Sequence, residues 1–139
     1  MKRTISALLL LCLSCTSKRE KTNVQISLIN KNSSVKLKGM DYGIISEINR
    51  DSVPRVWQSL IPVYKLPADT DLKDYQPAQP GVYKIIDSAV VFTPDTPFIN
   101  GKTYFMRYYK FDEGHSTMDF LKGSSRLRNV PYDDLIFKQ

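Results

Sequence analysis

The chain has one histidine and two cysteines among 139 residues, and both cysteines, Cys12 and Cys15, fall within the first fifteen. A single histidine excludes zinc sites built from several imidazoles, and any Ser-His-Asp triad would depend on His115. His115 sits in the polar turn Asp112-Glu113-Gly114-His115, where solvation explains it. There is no glycine-rich phosphate loop and no Gly-x-Ser-x-Gly elbow. Asp69, Asp71 and Asp74 are spaced like part of a calcium loop, yet the glycine and distal glutamate of an EF-hand are missing, and a charged loop accounts for them. Asp133-Asp134 reads as a solvated turn after Pro131. Long basic runs are absent too. The 20 Lys+Arg against 14 Asp+Glu are scattered, and the excess of six falls to four without Lys2 and Arg3. That argues against nucleic acid as a partner. No catalytic residue, metal or cofactor is expected, and the chain does not read as an enzyme.

What is present begins at the N-terminus. Lys2 and Arg3 precede an apolar run of about nine residues, Ile5 to Leu13, then the small Ser14 and Cys15, then the polar Thr16-Ser17-Lys18-Arg19-Glu20. This is the order of a secretory signal, and the run falls well short of the roughly twenty residues that cross a bilayer. The tetrad Cys12-Leu13-Ser14-Cys15 resembles the bacterial lipobox, departing from it where Cys12 stands in place of the usual leucine. The resemblance implies cleavage after Ser14, acylation of Cys15 and attachment to a membrane through lipid, with outer membrane the default because Thr16 is not an aspartate. Residues 1–14 are then a signal peptide, 15–22 a polar tether and 23–139 the folded domain. A domain from which both cysteines have gone, one to cleavage and one to lipid, has no internal disulfide. Its stability rests on an apolar core, and the length suits one such core.

From Asn23 onwards the pattern has period two. Val24, Ile26 and Leu28 alternate with Gln25 and Ser27, and Val35 and Leu37 with Lys36 and Lys38, around the turn residues Asn30 to Ser33. Tyr42 to Ile48 reads as a third strand. Asp51 to Leu66 is ambiguous: Val53, Val56, Trp57 and Leu60 have helical spacing with Ser52 as an N-cap, whereas Pro62 and the run Leu60 to Tyr64 favour an edge strand, and the strand is preferred. Trp57 is expected in the core on either reading. Pro67 to Gly81 is a loop. Val82 to Ile86 and Ala89 to Phe92, joined by Asp87-Ser88, predict a hairpin. Lys102 to Phe111 predicts a long strand, Ser116 to Gly123 a single helical turn, and Leu135 to Phe137 a last strand. About seven short strands separated by turn residues predict an all-β protein, an antiparallel β-sandwich.

The segment Val82-Tyr83-Lys84-Ile85, Val91-Phe92-Thr93-Pro94 and Pro97-Phe98-Ile99-Asn100-Gly101-Lys102-Thr103-Tyr104 resembles the bacterial Ig-like domains of surface-layer proteins and Bacteroidetes-type surface lipoproteins. The resemblance implies an Ig-like sandwich in which Phe92 and Phe98 fill the core. It also implies that Tyr104 is a tyrosine corner, with its hydroxyl bonded to backbone across a turn. Such a fold does not by itself give a function; the lipobox-like leader, the strand pattern and the lack of catalytic motifs together point to a non-catalytic binding, adhesion or scaffolding module of the cell envelope, with an envelope protein or a glycan as partner. An alternative is an inhibitor or immunity-type protein that blocks a hydrolase with the loop Pro67 to Gly81.

If Tyr104, Met106 and Tyr108 point inward, alternation places Phe105, Arg107, Tyr109 and Phe111 together on the opposite face. Exposed, those aromatics around an arginine form a binding strip for sugars or partner side chains, which would make the domain a carbohydrate-binding module. Covered by the N-terminal segment or by Pro67 to Pro80, they form a second hydrophobic layer.

Overall fold

The computed structural model describes residues 23–51, 54–110 and 130–139. The expected signal peptide, lipidated Cys15 and tether, the expected Ser52 cap, Phe111, His115 and the helical turn expected at Ser116 to Gly123 lie outside the described residues. Seven strands form two antiparallel sheets: β1 (Gln25–Ile29), β2 (Ser34–Lys38), β3 (Val63–Lys65), β4 (Gly81–Ile86), β5 (Ala89–Pro94), β6 (Thr103–Tyr109) and β7 (Tyr132–Lys138). The sheet orders are β1-β2-β5-β4 and β3-β6-β7, with every pairing antiparallel. Lettered in chain order, that is A-B-E-D facing C-F-G, the arrangement of a constant-type immunoglobulin sandwich.

Turn chemistry sets the registers. Asn30, Lys31 and Asn32 all have φ between 52 and 63°, a left-handed run that asparagine tolerates, and Ser33 closes the turn on the Asn30 carbonyl from both its amide and its hydroxyl. Asp87 and Ser88, at φ 50 and 58°, form a two-residue hairpin turn of the kind whose twist matches the flanking strands. Alternation then sorts the side chains. Val35, Leu37, Val90 and Phe92 go inward, while Lys36, Lys84 and Val82 go outward.

Two expectations are corrected by helices. Tyr42 to Ile48, expected as a strand, is helix α1 (Tyr42–Asp51). Asp41 caps it, its carboxylate accepting from the Ile44 amide at 3.2 Å and its carbonyl from Ile45 at 3.1 Å, and Ile45 and Ile48 bury one helical face. Within Asp51 to Leu66, the helical spacing prevails as α2 (Pro54–Leu60), and the strand is only the three residues of β3. Pro62 separates the two, and its carbonyl accepts from the Arg107 amide at 2.9 Å. Both helices occupy the B–C connection. The last strand is longer than expected, starting at Tyr132 and so taking in Asp133 and Asp134.

The core lies between the sheets and under the helices. Trp57, Tyr83, Phe92, Phe98, Tyr104 and Phe137 form a chain of aromatic contacts with successive centroids 4.7 to 6.4 Å apart. The Tyr83 hydroxyl donates to the Ile61 carbonyl at 2.9 Å, joining β4 to the end of α2, and burial raises its pKa. At Gly81 there is no room for a side chain, since a Cβ would meet the Thr93 carbonyl and the Phe92 ring. Among the described residues, no helix is long and apolar enough to cross a membrane.

Candidate functional site

The outer face of β3-β6-β7 brings charged and aromatic side chains together. β6 alternates as expected: Tyr104 and Met106 face the core, Phe105 and Arg107 the other side. Register places Tyr64 of β3 beside Phe105, their rings stacked at 5.1 Å, and Asp134 of β7 opposite Arg107. Tyr109 meets Tyr132 edge to face at 5.8 Å.

The loop between β3 and β4 covers this face. It leaves along β3 and returns beside it, with Ala78 bridged to Tyr64 and the Gln79 amide donating to the Val63 carbonyl at 2.7 Å. Between these points a 3-10 turn, Thr70–Tyr75, is capped by Asp69, whose carboxylate accepts from the Asp71 amide. The turn carries Lys73 and Asp74 down onto the sheet.

Arg107 is the centre. Its Nε and Nη2 donate to the two carboxylate oxygens of Asp134 at 2.8 and 2.9 Å, and Nη2 also reaches Asp74 at 2.8 Å. The guanidinium lies 4.0 Å from the centre of the Tyr132 ring. Lys73 completes the group, with Nζ 2.7 Å from Asp134 and 4.7 Å from the centre of Phe105. Arg107 and Asp134 are nearly buried, at 10 and 11 % side-chain exposure, whereas Asp74 is 64 % exposed.

The electrostatics follow from that geometry. The hydrogen bond to Asp134 is the main cause that raises the Arg107 pKa, outweighing burial, so the guanidinium stays charged at any accessible pH. Burial alone would raise Asp134, but the hydrogen bonds from Arg107 and Lys73 prevail and hold it below the usual carboxylate range. Tyr64 and Tyr109 are pushed up, chiefly by desolvation. A permanently charged arginine closed on an aspartate held ionised at neutral pH is a clamp, with no proton to exchange there.

The strip residues therefore have these places. Phe105 is fully buried and Arg107 is 8 % exposed, with Lys73 and Asp74 of the loop that includes Pro67 to Pro80 against them, while Tyr109, 9 % exposed, packs with the core residues. That is the covered arrangement, a second layer in which aromatics enclose an ion pair. Asp134, which reads as a turn residue in the sequence, is the partner of Arg107. Its signal was the alternation Asp134-Ile136 against Phe105-Arg107 across the last two strands. Asp69 and Asp74 serve the turn and the clamp, and among the described residues no three His, Cys, Asp or Glu side chains converge on one point.

Of the residues singled out elsewhere, Trp57, Phe92, Phe98 and Tyr104 all lie in the core. The Tyr104 hydroxyl accepts from the Ile99 amide at 2.9 Å, across the turn that opens β6. An open notch of about 500 Å³ lies between Asn49, Trp57 and the edge of β4. On its outer side the covering loop presents Leu72 and Tyr75, 50 and 82 % exposed. Comparison with known families, with curated proteins and with solved structures finds no match to this chain.

Proposed function

We propose that the protein is a lipid-anchored component of the cell envelope, a small Ig-like sandwich tethered through acylated Cys15 that acts as a binding, adhesion or scaffolding module at the outer membrane. The observation that carries this is the order of the leader: Lys2-Arg3, the short apolar run, then Ser14-Cys15 and a polar tether. Acyl chains contribute about 0.8 kcal/mol per buried methylene, so several together make a lasting anchor. The sandwich supports the reading by placing β1 at the edge of its sheet, immediately after the tether. Labelling with radioactive palmitate should mark the wild-type product and leave Cys15→Ser unlabelled, with the label in the envelope fraction. A wild-type protein that takes up no label would remove the proposal.

A second reading, an inhibitor or immunity-type protein acting on a hydrolase, draws on one observation. The loop from Pro67 to Gly81 is pinned from beneath through Lys73 and Asp74, and it shows Leu72 and Tyr75 to solvent. Protein contacts favour such pre-organised aromatic anchors. Stable one-to-one capture of an envelope hydrolase, lost in Tyr75→Ala with the fold retained, would establish it. Pull-downs free of hydrolases would count against it.

A further inference from the structure

The two sheets differ in how they carry charge. On β3-β6-β7 and the loop above it, Arg107, Lys73 and Lys110 are matched by Asp134, Asp74 and Asp133, while Lys65 and Lys138 at strand ends stand outside these pairs. The four strands of the other sheet, QISLI, SVKLK, GVYKII and AVVFTP, hold Lys36, Lys38 and Lys84 and contain no aspartate or glutamate. Among the described residues, none of those three lysines forms a salt bridge.

Register puts the lysines on the outer face. Lys36 pairs with Val91 and Val91 with Lys84, so one row across the sheet reads Ser27-Lys36-Val91-Lys84. Two strand spacings separate the lysines, about 10 Å. Val91 beneath them is buried, while Val82 and Ile86, the neighbours of Lys84 on its face, are 52 and 44 % exposed. Gln25 pairs with Lys38, which brings the start of β1 to the Lys38 end of the face. Asp87 lies in the β4-β5 turn and Asp95 just after β5, both outside the strands.

We propose that this face rests on the anionic phospholipid headgroups of the membrane that holds the protein, Lys36, Lys38 and Lys84 meeting phosphate charge and Val82 and Ile86 entering the interface. The inference rests on the lipid-anchor reading for its tether. The eight residues 15–22 span at most about 28 Å, so an acyl group on Cys15 keeps the Lys38 end of the sheet close to the bilayer. Lysines near an anionic surface each contribute about 1 kcal/mol, about fivefold in partitioning, and an existing anchor supplies the second of the two signals that stable attachment takes.

The test uses the full-length product purified from membranes and mixed with vesicles of phosphatidylcholine alone or with added phosphatidylglycerol. Acetylation rates are read at each lysine by mass spectrometry. Lys36, Lys38 and Lys84 should label about fivefold or more slowly on the anionic vesicles, while Lys138 of β7 and Lys102, just before β6, change little. The protection should vanish near 1 M salt, where the Debye length is about 3 Å. The triple variant Lys36→Gln, Lys38→Gln, Lys84→Gln should keep its folding transition and lose the orientation, read as equal hydrogen-exchange protection of β2 and β4 on both vesicle types. An acylated protein whose three lysines label equally on both vesicles overturns the face and leaves the anchor standing. An unacylated protein that sediments only with the anionic vesicles removes the anchor and supports the face, and one that sediments with neither overturns both.

Discussion

Breaking the Arg107–Asp134 pair should destabilise the domain far more than breaking Arg107–Asp74, although the distances are alike. Arg107 and Asp134 are only 10 and 11 % exposed and joined by two charge-assisted hydrogen bonds. Removing one partner leaves a charge with little solvent, at a cost of about 3–5 kcal/mol when burial is complete. Arg107→Met leaves Asp134 with Lys73 as a remaining partner, which moderates the loss to about 3 kcal/mol. Asp134→Asn keeps the shape but gives up ionic bonds to two cations, for about 2 kcal/mol. Asp74 is 64 % exposed and solvent screens it, so Asp74→Asn should cost under about 1 kcal/mol. Urea melts followed by the fluorescence of Trp57, the chain's one tryptophan, report all three. The double variant Arg107→Met, Asp134→Asn should be less destabilised than the sum of its parts by about 1 kcal/mol or more. The pH dependence has a defined sign. Asp134 titrates lower when folded than its ordinary value of 3.8, so its contribution is present above about pH 4 and is lost as pH falls through the folded value. That portion of the acid loss should be missing from Asp134→Asn. Additive single variants, or equal costs at Asp74 and Asp134, would refute the clamp.

Tyr104→Phe removes the acceptor of the Ile99 amide and should cost about 1 kcal/mol in the same melts, with no loss counting against the corner. Gly81→Ala drives a methyl group against the Thr93 carbonyl and the Phe92 ring, and should lower stability by about 1–3 kcal/mol. Ser46→Pro lies inside α1 and should cost about 3 kcal/mol or more, whereas unchanged stability would argue that the segment is not helical there.

The β-sheet framework was legible because its signals are local. Period-two alternation, Asp87-Ser88 between two β-rich runs, and Phe92 to Tyr104 each announce their role within a few residues. The helices were harder to read. Tyr42, Ile44, Ile45 and Ile48 favour strands by type, and what decides the outcome is the Asp41 cap together with a place for Ile45 and Ile48 in the core. At α2 the spacing of Val56, Trp57 and Leu60 is visible, but Pro62 among β-forming residues reads as part of a strand, whereas it marks the boundary between helix and strand. The clamp depends on residues 27 and 33 positions from Arg107, and its covering depends on how the loop returns along β3. Pairing at that distance follows from register, which the aspartates alone do not reveal.

Mass spectrometry of the N-terminal peptide of the membrane-extracted protein tests the central proposal most directly. A peptide beginning at Cys15 and heavier by fatty acyl groups, absent from Cys15→Ser, is the predicted result. A mature terminus elsewhere, or an unmodified Cys15, would contradict a protein held at the envelope by lipid.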